Sequence, residues 1–182
     1  MIIERQRLQD VLLLKPKIYN DERGYFLESY KESFLEQLGL SLKFVQDNMV
    51  HSYNSGIIRG LHYQLANPQG KLVHVVEGAI KDVAVDIRTN SPNFGKSIII
   101  NLDSKSHNLL FIPEGFAHGY LVTQKNTIIQ YKCTNYYDPN SEYGIIWNDK
   151  DLNIDWGVSN PVLSDRDSKL PILKDQKNLP ES

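Results

Sequence analysis

Cysteine is almost absent: Cys133 is the single example in 182 residues. One thiol excludes an internal disulfide framework and a cysteine-built zinc site. Long apolar runs are missing too. Stretches such as Val11–Leu14 and Ile98–Ile100 are far too short to cross a bilayer. The opening Met1-Ile2-Ile3-Glu4-Arg5-Gln6-Arg7 lacks the apolar centre of a signal peptide, so a cytoplasmic location is expected. Neither sign of charge is in excess. Twenty Lys and Arg stand against 22 Asp and Glu, interspersed, with a net charge of −2. That balance gives no electrostatic footprint for nucleic acid. There is no internal repeat and no low-complexity tract. What remains is 41% hydrophobic and 23% charged residues, the composition of a globular chain. The length fits one domain over residues 1–182 with a sizeable core.

One helix is expected near the start. Ser29 and Glu32 fit a capping box, Phe34, Leu35 and Leu38 make an apolar stripe, and Gly39 can end it. After Leu40 the period changes to two. Val83, Val85 and Ile87 alternate with Asp82, Ala84, Asp86 and Arg88. Glu77-Gly78 divides two β-rich runs and reads as a tight reversal. Further strands are expected over 44–53, 57–64, 71–76, 97–102, 108–112, 118–122 and 127–134. Turn clusters such as Asn54-Ser55-Gly56, Asn67-Pro68-Gln69-Gly70 and Asp138-Pro139-Asn140 separate them. Many short strands with regular turns predict an all-β jelly-roll barrel. The polar tail from about residue 163 reads as a surface-wrapping extension with mobile last residues.

A small barrel makes a pocket where inward positions of several strands converge. Three segments carry polar groups unusual for a core. In Arg59-Gly60-Leu61-His62-Tyr63-Gln64, alternation puts His62 and Gln64 on one face with Gly60 leaving room beside them. Gln69-Gly70-Lys71-Leu72-Val73-His74 places a lysine at the head of an apolar strand. Pro113-Glu114-Gly115-Phe116-Ala117-His118-Gly119 is a turn feeding a strand with His118 at its start. Taken singly, each has a plainer reading: a satisfied strand histidine, a solvated strand-end charge, turn chemistry, or for Tyr131 a rim aromatic.

The third segment resembles the second motif of cupin barrels, whose histidine often binds a metal. The first cupin motif needs two histidines one residue apart and a following carboxylate. This chain has His62-Tyr63-Gln64 and then Lys71. An amide and a nearby cation make a poor divalent site, so no metal is expected.

Nearly the whole chain resembles the dTDP-4-dehydrorhamnose 3,5-epimerase family. The resemblance is carried by Asp21-Glu22-Arg23-Gly24-Tyr25-Phe26, Phe44-Val45-Gln46-Asp47-Asn48, the Arg59–Gln64 and Gln69–Val73 segments, Asp82–Arg88, Ser91–Gly95, Ile112–Gly119, Tyr131–Thr134 and Leu163–Asp167, in the family's order. It implies a cupin-type jelly roll with one short N-terminal helix and small peripheral helices. It also implies a homodimer and a dTDP-4-keto-6-deoxy-sugar substrate, with no cofactor. The implied base is His62, paired with Asp167, and the implied proton donor is Tyr131. The implied substrate-binding positions are Arg23, Glu28, Gln46, Asp47, Asn48, Arg59, Lys71, His118 and Glu142, with Arg166 at a basic position where relatives often have lysine. Phe26 is an aromatic available to stack on thymine. Asp165 is a second carboxylate within reach of the choice made for Asp167.

The implied chemistry matches these residue types. Carbons 3 and 5 both lie α to the 4-ketone, so each can lose a proton to give an enolate. A histidine titrates near neutrality and suits the base. A carboxylate fixes its tautomer, a lysine such as Lys71 can face the developing oxyanion, and a tyrosine can return a proton. Arginines suit the diphosphate. Three rivals stand beside this reading: a single-site epimerase, a metal-dependent cupin enzyme, and a sugar-binding barrel without catalysis.

Overall fold

The alternating segments form two facing antiparallel sheets. The computed structural model describes residues 1–36, 39–40 and 42–181. In chain order its elements are β1 (Ile2–Arg5), β2 (Leu12–Lys15), β3 (Ile18–Asp21), β4 (Gly24–Leu27), α1 (Ser33–Glu36), β5 (Gln46–Ser52), β6 (Ile58–Gln64), β7 (Lys71–Glu77), β8 (Ala79–Asp86), β9 (Ser97–Asp103), β10 (Leu109–Ile112), β11 (Phe116–Val122), β12 (Thr127–Cys133) and β13 (Glu142–Gly144). One sheet has the order β1-β2-β10-β7-β12-β5, the other β13-β6-β11-β8-β9, and β3–β4 is a separate hairpin. This is the all-β jelly roll expected from the turn spacing. The small peripheral helices are 3-10 turns at Asp167–Lys169 and Leu173–Asp175.

Three apolar clusters hold the layers together. Between the sheets, Val73, Val75 and Ile129 meet Ile80, Ala84, Phe116 and Val122. Outside the smaller sheet, Ile58, Leu61, Val83 and Val85 lie under Leu152, Trp156 and Leu173 from the C-terminal segment. Outside the larger sheet, Leu72, Leu109 and Phe111 pack with Leu35, flanked by Leu40 and Phe44. Each fully buried Leu, Val or Ile side chain contributes about 1.5–3 kcal/mol.

Four expectations change. The helix begins at Ser33 rather than after a Ser29 cap: its first backbone bonds run from Phe34 N–H to Lys31 O and from Leu35 N–H to Glu32 O. Tyr30 is instead held edge-on to Phe44 at 5.2 Å, so tertiary packing rather than the capping box sets the start. Gly39 does end the turn at φ +76°, while Leu38 lies outside the described residues. Glu77-Gly78 is not a hairpin, because β7 and β8 belong to different sheets. It is a corner, and Gly78 is required there: at φ +79° an added Cβ would lie 2.3 Å from Thr127 Oγ1. The tail is clamped rather than loose. Tyr63 OH donates to Asn178 O at 2.6 Å and Thr89 N–H to Pro180 O at 2.9 Å. Finally, β1 to β4 precede the helix in a region where no strand was expected.

The alternation in β8 has an unexpected direction. Val83 and Val85 pack outward beneath the tail, and the opposite set, Asp82, Ala84 and Asp86, is fully buried as well. Asp86 is answered by Arg88 and by Ser91 Oγ at 2.7 Å. Asp82 is answered by a histidine described below.

On the larger sheet, His74 has a buried Nε2 with no hydrogen-bond partner among the described residues. Its ring is 5.8 Å from that of His107. Burial first, and His107 second, push the His74 imidazole below its ordinary range. The unfolded chain therefore takes up this proton before the folded one as pH falls below about 6.5. Stability contributed by a neutral His74 is intact above that pH and lost below it. Denaturant titrations of wild type and His74→Leu at pH 7.5 and 5.5 should show the wild type losing more stability than the variant. Equal losses would mean His74 stays uncoupled from folding.

Candidate active site

The polar strand segments meet in a cavity of about 510 Å³ between the sheets, closed on one side by the segment 162–167. A β-bulge shapes its first wall. β11 pairs His118 with His62 and then Tyr120 with Arg59, so Gly60 and Leu61 together oppose Gly119. Strict alternation would turn Arg59 and His62 to opposite faces, but the extra residue lets both line the cavity. Gly119 permits the close approach, since a Cβ there would sit 2.7 Å from Arg59 O. Gly60 does not simply leave room beside His62: its N–H donates to Asp167 Oδ2 at 3.3 Å.

His62 Nε2 lies 2.7 Å from Asp167 Oδ1. This settles which carboxylate meets the imidazole, because Asp165 is exposed while Asp167 is buried. Residue 162 anchors the strap that carries Asp167: Ile58 N–H donates to Val162 O at 3.0 Å. Ser164 Oγ then accepts from Asp167 N–H at 3.0 Å. Burial pushes the Asp167 carboxyl up, but the His62 hydrogen bond and charge, with Gly60 and Ser164, outweigh it and hold it below the usual range. With Nε2 committed to Asp167, the other ring nitrogen of His62 is the one free to take a proton.

The opposite wall comes from the larger sheet. Tyr131 on β12 and Lys71 on β7 face the cavity across from His62. Among the described residues, neither the Lys71 ammonium nor the Tyr131 hydroxyl has a hydrogen-bond partner. Burial pushes Lys71 down, with Cys133, Glu142 and Asp82 pulling it partly back. Burial first, then Cys133 and Glu142, push Tyr131 up against an opposing pull from Arg59, which keeps the phenol protonated.

An adjoining cavity of about 290 Å³ shares His62, Lys71 and Tyr131 and adds Gln46, Asn48, Gln69, Tyr137 and Glu142. Glu142 accepts from Tyr137 OH at 2.9 Å and from the Arg166 guanidinium. His62, Asp167, Lys71, Tyr131, Arg59, His118, Arg166, Gln46, Asn48 and Glu142 are thus brought together. Asp47 is not. It lies on the other face of β5, ion-paired to Lys132 at 2.9 Å. Arg23, Phe26 and Glu28 are also outside the cavity, on or just after the β3–β4 hairpin. The Arg23 side chain is 85% exposed and bonded to Asp21, and Phe26 is 66% exposed.

Sequence reasoning missed Gln69, Tyr120, Tyr137 and Asp82. Parity in β8 gave Asp82 a face but not the fact that this face is interior. Tyr137 lies between β12 and the Asp138-Pro139-Asn140 turn, outside any alternating run that would mark its direction. The position where a cupin metal ligand would stand has another task. Gln64 Nε2 donates to Asn67 O at 2.8 Å and Tyr136 O at 3.1 Å, and its Oε1 accepts from Asp138 N–H at 2.9 Å. Its amide ties two loops together. Among the described residues, no three His, Cys, Asp or Glu side chains are grouped to hold a metal.

This arrangement holds an oriented imidazole on one wall and a protonated phenol with a free ammonium on the other. It is suited to moving a proton onto and off a carbon next to a carbonyl. A family model described as dTDP-4-dehydrorhamnose 3,5-epimerase matches residues 5–175. The chain belongs to the dTDP-4-dehydrorhamnose 3,5-epimerase family. It is 46% identical to the dTDP-4-dehydrorhamnose 3,5-epimerase of Salmonella typhimurium over 184 residues, covering 100% of each chain. It is 48% identical to the Shigella flexneri enzyme, over 92% of this chain and 93% of that one. The fold superposes with a TM-score of 0.95 on the Legionella pneumophila dTDP-6-deoxy-D-glucose-3,5-epimerase in complex with dTDP-4-keto-L-rhamnose, at 42% identity over 100% of this chain and 98% of the other. A 3'-monoepimerase from Streptomyces bikiniensis in complex with dTDP-quinovose is more distant, with a TM-score of 0.86 and 32% identity over 91% of this chain and 85% of that one.

Proposed function

We propose that the protein is a dTDP-4-dehydrorhamnose 3,5-epimerase that turns dTDP-4-dehydro-6-deoxy-α-D-glucose into dTDP-4-dehydro-β-L-rhamnose. The observation that carries this is the facing of the His62–Asp167 pair by Tyr131 and Lys71 across one cavity. The free nitrogen of His62 takes the proton from carbon 5 or carbon 3. The C–H electrons move into the ring as the enolate forms at carbon 4, and Lys71 faces that oxyanion. Asp167 balances the imidazolium. Tyr131 then gives its proton to the carbon from the opposite side, completing inversion, and recovers one from solvent as the His62 imidazolium releases its own to solvent. Arg59, Arg166, His118, Gln46, Asn48 and Glu142 bind the nucleotide sugar. The route needs no metal and no redox cofactor. Similarity to double epimerases at 46–48% identity, against 32% for the monoepimerase, favours reaction at both carbons over the single-site alternative.

Purified protein given dTDP-4-dehydro-6-deoxy-glucose in a chelator-containing buffer should yield product inverted at both carbons. Substitution should separate the roles. His62→Ala should lower kcat by roughly 10²–10⁴-fold. Asp167→Asn should lower kcat about tenfold or more while leaving dTDP binding unchanged. Inversion at one carbon would favour the single-site reading, and activity restored only by a divalent metal would favour the metal-dependent class.

The functional unit we propose is a homodimer. The β3–β4 hairpin presents Tyr19, Tyr25 and Phe26 at 52%, 57% and 66% exposure, a large aromatic surface for an unpartnered hairpin. Arg23, Phe26 and Glu28 carry the family's substrate-binding pattern yet stand outside their own cavity. A second copy whose cavity receives this hairpin resolves both facts through an isologous contact. Light scattering at micromolar concentration should give twice the 20.9 kDa chain mass, and Arg23→Ala should raise KM with little change in kcat. A monomer with full activity would rule this assembly out.

A further inference from the structure

A second histidine–carboxylate pair lies beside the first. His118 on β11 is the direct cross-strand partner of His62 on β6, and both side chains line the same cavity. His118 Nε2 sits 3.0 and 3.1 Å from the two oxygens of Asp82 on β8. Asp82 is wholly buried and His118 is 7% exposed. Among the described residues, His118 is the only hydrogen-bond partner of the Asp82 carboxylate. A carboxylate removed from water with a single donor calls for that donor to be charged, because an uncompensated buried charge is far costlier than a paired one. The contact also requires a proton on Nε2, which leaves Nδ1 as the ring nitrogen available to the cavity.

We infer that Asp82 is a positioning residue that acts through His118, fixing its Nε2–H and supplying the countercharge that lets Nδ1–H address an anionic oxygen of the bound nucleotide sugar. This rests on the reading of the cavity as a nucleotide-sugar site. The other groups facing His118 fit this assignment. His62 and Arg59 stand on β6, Tyr120 follows on β11 with its ring 6.2 Å away, and Lys71 and Tyr131 lie across the cavity. None of these is an anion, and among the described residues Asp82 is the only anion in hydrogen-bond contact with His118. The two dyads therefore do different work from one strand pair. His62, with 23% of its side chain exposed, exchanges protons with carbon, whereas the more enclosed His118 donates a hydrogen bond. The anionic oxygen has two sources within one substrate, the diphosphate and the enolate, and kinetics separates them.

The test combines nitrogen-15 imidazole spectra with Asp82→Asn, which keeps the shape and removes the charge. In the wild-type protein with dTDP bound, His118 should carry its proton on Nε2, and in Asp82→Asn its spectrum should shift towards a neutral ring. If the oxygen is a phosphate, dTDP affinity should weaken about tenfold in the variant; if it is the enolate, affinity should hold and kcat should fall about tenfold. Either split supports the assignment, since a purely structural role would move neither at equal melting temperature. A wild-type His118 with a bare Nε2 would overturn it, as would a folded Asp82→Asn with unchanged affinity, kcat and spectrum. The wild-type spectrum decides the matter if the variant does not fold. A wild-type chain inactive on the sugar nucleotide would defeat the functional reading and leave the spectral test of Asp82 standing.

Discussion

A 2.7 Å contact between an imidazole on a barrel strand and a carboxylate on a distant strap organises this molecule. The two residues are separated by 105 positions in the chain, so the contact exists only when β6 and the strap that follows Val162 are both in place. The β6–β11 bulge turns His62 and Arg59 to the same side. The strap is seated by Val162 against Ile58 and by Leu173 N–H on Asp149 Oδ2 at 2.7 Å. The tail does wrap the surface as expected, its apolar residues covering the outer face of the smaller sheet, and it also completes the site by carrying Asp167.

The electrostatics of the cavity follow from that assembly. One wall holds carboxylates paired to histidines, Asp167 with His62 and Asp82 with His118. The other holds a lysine without a partner among the described residues and a phenol kept protonated by burial. A cation without a partner in a partly enclosed space is costly, and that cost is offset when an oxyanion forms opposite it. Base and acid stand on different sheets, so a flat sugar ring between them has one on each face. The barrel supplies this opposition through sheet geometry.

Much of the barrel could be read from the sequence because period-two alternation is a local signal. The strand expected over 44–53 is β5 at Gln46–Ser52, and that over 127–134 is β12 at Thr127–Cys133. The strands before the helix could not be read the same way. β1 to β4 are four residues each, and a run such as Leu12-Leu13-Leu14 shows no alternation. His62 and Lys71 were visible as polar groups on apolar strands, whereas Tyr131 read alone as a rim aromatic and was marked only by the family resemblance. Asp47 was separable from Gln46 and Asn48 by parity alone, since neighbours on a strand face opposite ways. Asp82 was not legible, because an acid alternating with valines reads as a solvated face until the second sheet is seen to cover it. The bulge at Gly60 and Leu61 was hidden as well, since it depends on how β11 pairs with β6. Long-range register, not local propensity, decides these details.

Opposed acid and base on facing sheets make a specific demand on isotope exchange. In heavy water, turnover should place deuterium at both carbon 3 and carbon 5, delivered from the Tyr131 side. With Tyr131→Phe the base remains, so proton abstraction continues, but the proton returns from the His62 side. Deuterium incorporation without net inversion is then the expected result. Full double inversion at the wild-type rate in Tyr131→Phe would contradict the account.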